Sequence, residues 1–300
     1  MTSPATTLDD AWQAVDQRRT SPAARWLKTF VRSPAAVVSV AILIVLIVVA
    51  YAVPPVFGLD PLAQISGARL LQPSSAHLFG TDELGRDLLA RCLVGLQLSI
   101  QVAIASAILG GVVGILVGYA AAYMHGVVDS ILMRLTDTML AFPNILMAIV
   151  VVAVLGTGVR NVVVALAITN IPLFARIARA AMLSELGQVY VEAARASGCS
   201  PVRLIFRHVA PNTLTPLVVQ LALAMAFAIL GEASLSYLGL GVQPPNPSLG
   251  NLLSTGQTYI LSGAQYYVLF PAIVLALFLF ALNLLADAIN DFADVNRRVR

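Results

Sequence analysis

The sequence predicts an all-α, polytopic membrane protein with six transmembrane helices. Hydrophobic residues make up 59% of the 300 residues and charged residues only 11%, against roughly 25% charged in a typical soluble domain. One water-soluble core could not enclose this much apolar surface, so the bilayer must solvate much of the chain. Two further observations support this class: a series of long uncharged stretches, and an uneven distribution of arginine between the segments that join them.

Six uncharged stretches approach or exceed the ~20 residues that a spanning helix needs. They lie at 35–53, 93–124, 138–159, 161–175, 209–231 and about 266–286. The second is longer than one straight crossing, which predicts a tilted helix or one that begins in the interface. The fourth is short, and we expect Arg176 and Arg179 to snorkel from its end to the headgroups.

The polar residues 1–34 precede a first apolar stretch of 19 residues. A signal peptide has a shorter apolar core of ~7–15 residues, so we predict an uncleaved membrane anchor. The predicted organisation is a cytoplasmic tail, a first transmembrane helix, an extracytoplasmic loop, a domain of five helices and a second cytoplasmic tail. Their bounds are 1–34, 35–53, 54–92, 93–290 and 291–300.

Basic residues predict the orientation of the chain in the membrane. Seventeen of the 18 are arginine, and Lys28 is the only lysine. With the N-terminus inside, cytoplasmic segments hold 14 basic residues and outer segments hold four. Because cytoplasmic loops are enriched in basic residues, we predict that both termini lie in the cytoplasm.

Two outer loops and one glycine pattern stand out. In the first loop, Pro54, Pro55, Pro61 and Pro73 are expected to break any helix. The second loop, 238–265, is uncharged and rich in proline and glycine, and we expect it to fold back against the outer mouth of the protein. On the second span, glycines recur every four residues, which favours close packing of a neighbouring helix over a role in a pathway. These glycines are Gly110, Gly114 and Gly118.

Ionisable residues inside spans are costly and therefore candidates for function. Arg134 and Asp137 lie three residues apart near the inner end of the third span, so they can pair on one helix face. Glu232 lies towards the outer end of the fifth span. Its carboxylate can line a pathway and meet a cationic group, or it can hydrogen-bond to the proline-rich loop, and we prefer the structural role.

Helix breakers and amides also occur inside the third and fourth spans. Pro143 precedes Asn144, and Asn170 lies two residues before Pro172. Backbone groups freed by proline can line a cavity or simply permit a kink. We therefore keep Pro143, Asn144 and Asn170, together with Glu232, as candidates for a pathway or gate.

The inner loop 183–212 is the most informative segment. Residues 183–197 are strong helix formers, and Gly198 is a natural helix stop because glycine adopts left-handed backbone without strain. The Ser-Pro pair at 200–201 predicts an N-cap followed by proline at the first helical position, with a short second helix towards Pro211. We expect a helix, a glycine corner and a helix parallel to the membrane. Such a segment either contacts another protein or rests on lipid.

The residues of this loop resemble a known family motif. Glu192-Ala193-Ala194, followed at fixed spacing by Gly198 and Pro211, is similar to the "EAA" loop of bacterial ABC importer permeases. In that family the loop is a coupling helix that docks into a groove on a cytoplasmic ATPase subunit. The resemblance implies an ATPase-coupling role for Glu192, Ala193, Ala194, Arg195, Gly198, Arg207 and Pro211.

Three other segments extend the resemblance to the dipeptide/oligopeptide (peptide/nickel) branch. They read FGTDELGRD at 79–87, MRLTDTMLAFP at 133–143 and LSYLGLGVQPPNPSLGN at 235–251. Within that branch the chain resembles the second, C-type permease subunit, although Leu249 stands where tryptophan is often found. The resemblance implies a type I ABC importer permease fold and half of a translocation pathway. Its relatives carry dipeptides, oligopeptides, nickel chelates or haem, and the sequence does not choose among them.

The same resemblance implies a set of partners in the bacterial plasma membrane. These are a homologous permease subunit, two cytoplasmic ATP-binding subunits or domains, and an extracytoplasmic substrate-binding protein. Lys28 lies in RWLKTF, without the glycines of a phosphate-binding loop. We therefore expect no ATP site or other cofactor in this chain, and ATP and magnesium to be bound by the ATPase partners.

Two other classes of protein are less consistent with the sequence. A secondary transporter or channel driven by an ion gradient would be expected to bury acidic residues at mid-membrane, and only Asp137 and Glu232 approach that position. A membrane-embedded enzyme would need a nucleophile with its base, or metal ligands. The histidines, His77, His125 and His208, lack metal-ligand spacing. No metal site and no nucleic-acid-binding tract are predicted.

Overall fold

The computed structural model of the chain describes residues 33–298, with side chains over 33–290. Most of the predicted tail 1–34 lies outside this range. Over the described residues the chain consists of helices and loops, with one isolated bridge between Thr81 and Asp87. The helices are α1 Pro34–Val56, α2 Leu88–Met124, α3 Gly126–Leu140, α4 Asn144–Leu155, α5 Val159–Leu186, α6 Val189–Ala196, α7 Pro201–Tyr237, α8 Leu249–Gln257 and α9 Tyr266–Arg298.

Five helices in the described range are long and apolar enough to cross a membrane, namely α1, α2, α5, α7 and α9. The sixth crossing requires α3 and α4 together, and these helices meet at 94°. The predicted third span, 138–159, is therefore broken at Pro143, where the sequence allowed a kink. Pro143 explains the break, because proline has no N–H to donate and disfavours helical backbone in the residue before it.

The first helix passes through the prolines that were expected to end it. α1 runs to Val56 and contains Pro54 and Pro55. Proline at position 54 leaves the carbonyl of Ala50 without its helical donor, and the side-chain amide of Gln97 donates to that carbonyl at 2.6 Å. A side chain from α2 thus replaces the missing backbone hydrogen bond and lets the helix continue.

The fourth crossing, α5, is longer than predicted. α5 extends to Leu186, well past the uncharged stretch 161–175. Its two arginines do not lie free at a helix end, because each faces an acidic residue of α3. Arg179 Nε and Nη2 both donate to Asp129, at 2.6 Å each, and Arg176 Nε lies 3.9 Å from Asp137 Oδ1.

The glycine face of α2 packs directly on α5. A Cβ added at Gly110, Gly114 or Gly118 would lie 2.5, 2.6 or 2.3 Å from the backbone oxygen of Ala167, Ile171 or Ala175. Real Cβ atoms do not approach oxygen this closely, so only glycine permits the observed backbone separation. Small residues allow such contact between membrane helices, where lipid supplies little hydrophobic driving force.

The first predicted outer loop, 54–92, is ordered by a buried carboxylate. Asp82 is fully buried and accepts hydrogen bonds from the backbone and from Arg86 Nε, the latter at 2.6 Å. Arg91 Nε lies 3.2 Å from the same side chain. The hydroxyl of Tyr266 donates to the carbonyl of Thr81 at 3.1 Å, which ties this loop to the start of α9.

The second predicted outer loop, 238–265, folds back on the bundle as expected. It contains α8, whose first turn is closed by a capping box between Ser248 and Asn251. Leu249 and Leu252 are buried. Gly250 lies so close to α7 that an added Cβ would approach the backbone oxygen of Ala233 to 2.1 Å.

The α2–α5 contact gives a direct test of the fold. Gly118→Ala should lower the stability of the detergent-solubilised protein by about 1–3 kcal/mol, because the added methyl group forces the two backbones apart. Gly187→Ala is the matched control, since the nearest atom to its Cβ is 3.9 Å away. Thermal unfolding followed by size-exclusion chromatography measures both. Equal midpoints for the two variants would contradict the packing account.

Candidate functional site

The glycine corner has a well-defined backbone structure. α6 ends at Ala196, and Gly198 has a φ of +76°, in the left-handed region. The N–H of Gly198 donates to Arg195 O at 3.0 Å, and the N–H of Cys199 donates to Ala194 O at 3.1 Å. This pair of bonds is a Schellman motif, which satisfies the last carbonyls of a helix.

The arms of the corner differ from the prediction. The first arm is not one helix over 183–197, because α5 ends at Leu186 and α6 begins at Val189. The second arm is not a separate short helix, because α7 runs without interruption from Pro201 to Tyr237. The inner segment is therefore the beginning of a membrane-crossing helix. We call residues 189–212 the elbow.

A π-helical turn carries α7 past the proline of the elbow. Residues Leu204–Val209 form this turn, and Pro211 follows it. Proline at 211 cannot donate to the carbonyl of Arg207, and its ring would clash with that carbonyl in a regular α-helix. The wider π turn provides room for the proline while the helix stays continuous.

Tyr190 connects three parts of the elbow, and the sequence interpretation overlooked it. Its hydroxyl donates to Glu185 Oε2 at 2.5 Å and accepts from Asn212 Nδ2 at 2.9 Å. Asn212 also donates to the backbone oxygen of His208 at 3.1 Å. These bonds join the end of α5, the first turn of α6 and the start of α7. A lone aromatic residue in a polar helical arm was the signal available in the sequence.

Buried apolar residues attach the elbow to the bundle. Val191, Leu204 and Val209 are buried in one cluster with residues of α2 and α5, including Phe174 and Met182. Next to them, the hydroxyl groups of Tyr119 on α2 and Thr213 on α7 form a buried hydrogen bond. The inner end of α7 is thus fixed to its neighbours by packing and by a polar contact.

The side of the elbow that faces away from the helix bundle is exposed. Glu192, Ala193, Arg195, Gly198, Arg207 and Pro211 are all exposed, and Ala194 is half-buried. Three large apolar side chains are exposed with them: Val189, Val202 and Phe206, at 79%, 66% and 59%. The sequence interpretation did not single out these three residues. Exposed apolar side chains that are rimmed by polar residues mark a surface that contacts another protein or the membrane.

A charged cavity of about 540 Å³ lies between α3 and α5, and its lining includes Asp129, Arg134, Asp137, Arg176 and Arg179. The expected pair between Arg134 and Asp137 is not the one that the structure shows. The ion-pair partner of Asp137 is Arg176, with both side chains about 60% exposed. The bend after Leu140 turns α3 towards α5, which brings the acidic residues to the arginines of a different helix.

Two of the pathway candidates come together in a second cavity. Asn144 at the start of α4 and Asn170 in α5 both line a space of about 260 Å³, with Ser234 of α7 on another side. Pro143 is the residue before α4 and not part of this lining. The kink and the cavity, given as alternatives by the sequence, therefore occur at the same place.

Glu232 lies elsewhere, in an enclosed polar cluster. Its side chain is fully buried and accepts hydrogen bonds from Ser99 of α2 and Ser236 of α7, both at 2.8 Å. Ser248, from the proline-rich loop, also interacts with this carboxylate. The arrangement favours the structural alternative for Glu232, as a tie between α2, α7 and the outer loop.

Residues 110–299 match the family model described as "Binding-protein-dependent transport system inner membrane component". The di/tripeptide transport system permease protein DppC of Pseudomonas aeruginosa is 38% identical over 280 residues, covering 91% of this chain and 92% of that protein. The glutathione transport system permease protein GsiD of Escherichia coli is 41% identical over 222 residues, covering 74% and 73%. A chain of the MetNI methionine ABC transporter, solved in inward-facing conformations, has a TM-score of 0.51 at 20% identity, covering 67% and 96%.

The role of Tyr190 can be tested by removing one oxygen atom. Tyr190→Phe should speed amide hydrogen exchange across the elbow about fivefold, because a net hydrogen bond contributes about 1 kcal/mol. Tyr237→Phe is the control, since the hydroxyl of Tyr237 bonds to Gln257 in the outer region. It should leave exchange in 189–212 unchanged. If the two variants exchange alike in the elbow, the Tyr190 hydroxyl does not hold its three parts together.

Proposed function

The chain belongs to the family of binding-protein-dependent transport system inner membrane components, and from this premise we propose that it is a permease subunit of an ATP-driven importer of di- and oligopeptides. The observation that carries the proposal is the elbow, an exposed corner whose second arm is the beginning of a membrane-crossing helix. A partner that moves this corner also moves α7.

Peptides are the proposed substrates because of the relatives. Proteins named for di/tripeptide, dipeptide and glutathione transport are 34–41% identical over 74–91% of this chain. Dipeptides, tripeptides and glutathione share a peptide backbone and small size. We therefore infer that this chain passes short peptides and that it forms half of the pathway beside a homologous permease.

We infer that ATP and magnesium are bound by separate subunits. The only lysine is Lys28, in a segment without the glycine-rich phosphate-binding pattern. In the proposed cycle, two cytoplasmic ATPase subunits close on ATP and displace the grooves that hold the elbow. α7 then moves relative to the partner permease, and the pathway opens to the other side.

The orientation proposed from the arginines agrees with this arrangement. Cytoplasmic segments hold 14 of the 18 basic residues when both termini are inside. The elbow then faces the cytoplasm, where the ATPases must lie, in the bacterial inner membrane. The loops organised by Asp82 and by α8 face outward, where an extracytoplasmic binding protein would deliver the peptide.

Docking of the ATPase can be tested at Phe206. In the complete transporter, Phe206→Ala should weaken association with the ATPase subunits at least tenfold, because exposed aromatic residues at an interface often carry much of the binding energy. Phe280→Ala is the matched control, since Phe280 is equally exposed, at 57% against 59%, but lies in the spanning helix α9. The loss is measured by co-purification of the ATPases as the detergent-solubilised complex is progressively diluted. Equal retention by both variants would exclude Phe206 from the interface.

Coupling can be tested at Gly198, where nothing lies within 4 Å of an added Cβ and only the backbone conformation restricts substitution. Gly198→Val should strain the corner by roughly 1–2 kcal/mol, whereas Gly198→Asn should be tolerated because asparagine adopts left-handed backbone. In proteoliposomes the valine variant should consume more ATP per imported dipeptide than the asparagine variant. The same ratio for both would contradict a coupling role for the corner.

A further inference from the structure

The cavity between α4, α5 and α7 combines apolar walls with a few polar groups. Leu166 and Phe227 contribute apolar walls, and Asn144, Asn170 and Ser234 contribute polar side chains. Its volume of about 260 Å³ is slightly below the ~300–1,000 Å³ typical of small-molecule sites. The cavity is therefore suited to one part of a short peptide, and the rest of the peptide would lie outside it.

Asn170 lines this cavity and carries a buried donor that no group in the described part of the chain uses. The residue is only 4% exposed, and its Nδ2 has no hydrogen-bond partner among the described residues. Buried amide groups are nearly always paired, so each exception calls for an explanation. The side chain is also supported from behind, because the Cβ of Asn170 would lie 2.9 Å from a Cβ added at Gly110. The donor is thus held in place by the α2–α5 contact.

The beginning of α4 adds further donors at the same cavity. Asn144 and Ile145 form the first turn of this 12-residue helix and line the cavity. The first N–H groups of a helix have no partner within the helix, and Pro143 at the N-cap provides no side-chain acceptor. The break at Pro143 therefore exposes amide donors beside the unpaired amide of Asn170.

These donors call for an uncharged acceptor. No arginine, aspartate or glutamate is among the residues that line the cavity in the described part of the chain. A carboxylate would enter without a cation to balance its charge, and an ammonium group would enter without an anion. The carbonyl oxygen of a peptide bond fits the unpaired donors without bringing a charge into an apolar site.

We propose that the cavity of Asn144 and Asn170 is a transient site in which Asn170 Nδ2 donates to a backbone carbonyl of the peptide during passage. This inference rests on the proposed function, because it specifies where the peptide contacts this chain. A contact to the backbone is independent of side chains, so one site serves peptides of different sequence.

The test uses the complete transporter in proteoliposomes with tritiated Ala-Ala and Ala-Ala-Ala as probes. Asn170→Leu keeps the approximate size of the side chain and removes its donor, and Asn170→Ser restores a donor. Asn283→Leu is the control, because Asn283 is exposed on α9 and donates to Leu279 O of its own helix at 3.0 Å. We expect uptake per ATP to fall about tenfold in Asn170→Leu, to recover partly in Asn170→Ser, and to stay unchanged in Asn283→Leu.

A photo-cross-link provides a second, direct measurement. Phe227→p-benzoylphenylalanine places a reactive group at the wall of the cavity, and the same replacement at Phe280 places it on α9. During ATP turnover, tritiated Ala-Ala-Ala should label the first variant and not the second. Equal labelling of the two would overturn the proposal.

Three further results would overturn the proposed site, and the last of them would also overturn the proposed function. Unchanged uptake in Asn170→Leu overturns the site while leaving the proposed function intact. Loss of the partner permease from purified Asn170→Leu shows that the donor serves a subunit interface, which also overturns the site. If the wild-type transporter imports neither peptide with ATP, the proposed function fails, and this inference fails with it.

Discussion

Close backbone contact between α2 and α5 is the constraint on which the rest of the structure depends. It exists only because glycine occupies the contact face, as at Gly118, where an added Cβ would lie 2.3 Å from a carbonyl oxygen. α2 then holds α7 through the hydroxyl pair of Tyr119 and Thr213. α5 holds α3 through the two hydrogen bonds between Arg179 and Asp129. The pair therefore acts as the frame to which the other inner elements are attached.

The coupling role that we propose for the elbow depends on its being part of a spanning helix. A separate amphipathic helix joined by a flexible loop would absorb displacement, whereas α7 continues from Pro201 to Tyr237. The Schellman motif at Gly198 fixes the corner, and the hydroxyl of Tyr190 fixes the angle between the arms. In the proposed cycle, force applied at the exposed surface reaches the membrane interior through this continuous helix.

Features encoded by local pattern were predictable, and those created by tertiary contact were not. Composition and uncharged length indicated the number of crossings, and the corner at Gly198 followed from its neighbours in sequence. The pairing of Asp137 with Arg176 instead of Arg134 depends on the bend after α3. The meeting of Asn144 and Asn170 depends on how α4 and α5 pack, which a single sequence does not contain.

The continuity of the elbow with α7 can be measured directly by electron–electron resonance distances in the complete transporter. Spin labels at Val202 and Leu230, in a chain whose Cys92 and Cys199 have been replaced, report the distance along α7. A second pair, between Val202 and the partner permease, reports that the cycle has taken place. The account predicts one unchanged distance distribution along α7 in ATP-free and ATP-trapped states. A shift along α7 on trapping would show that the π-helical turn bends, and would contradict transmission through a rigid helix.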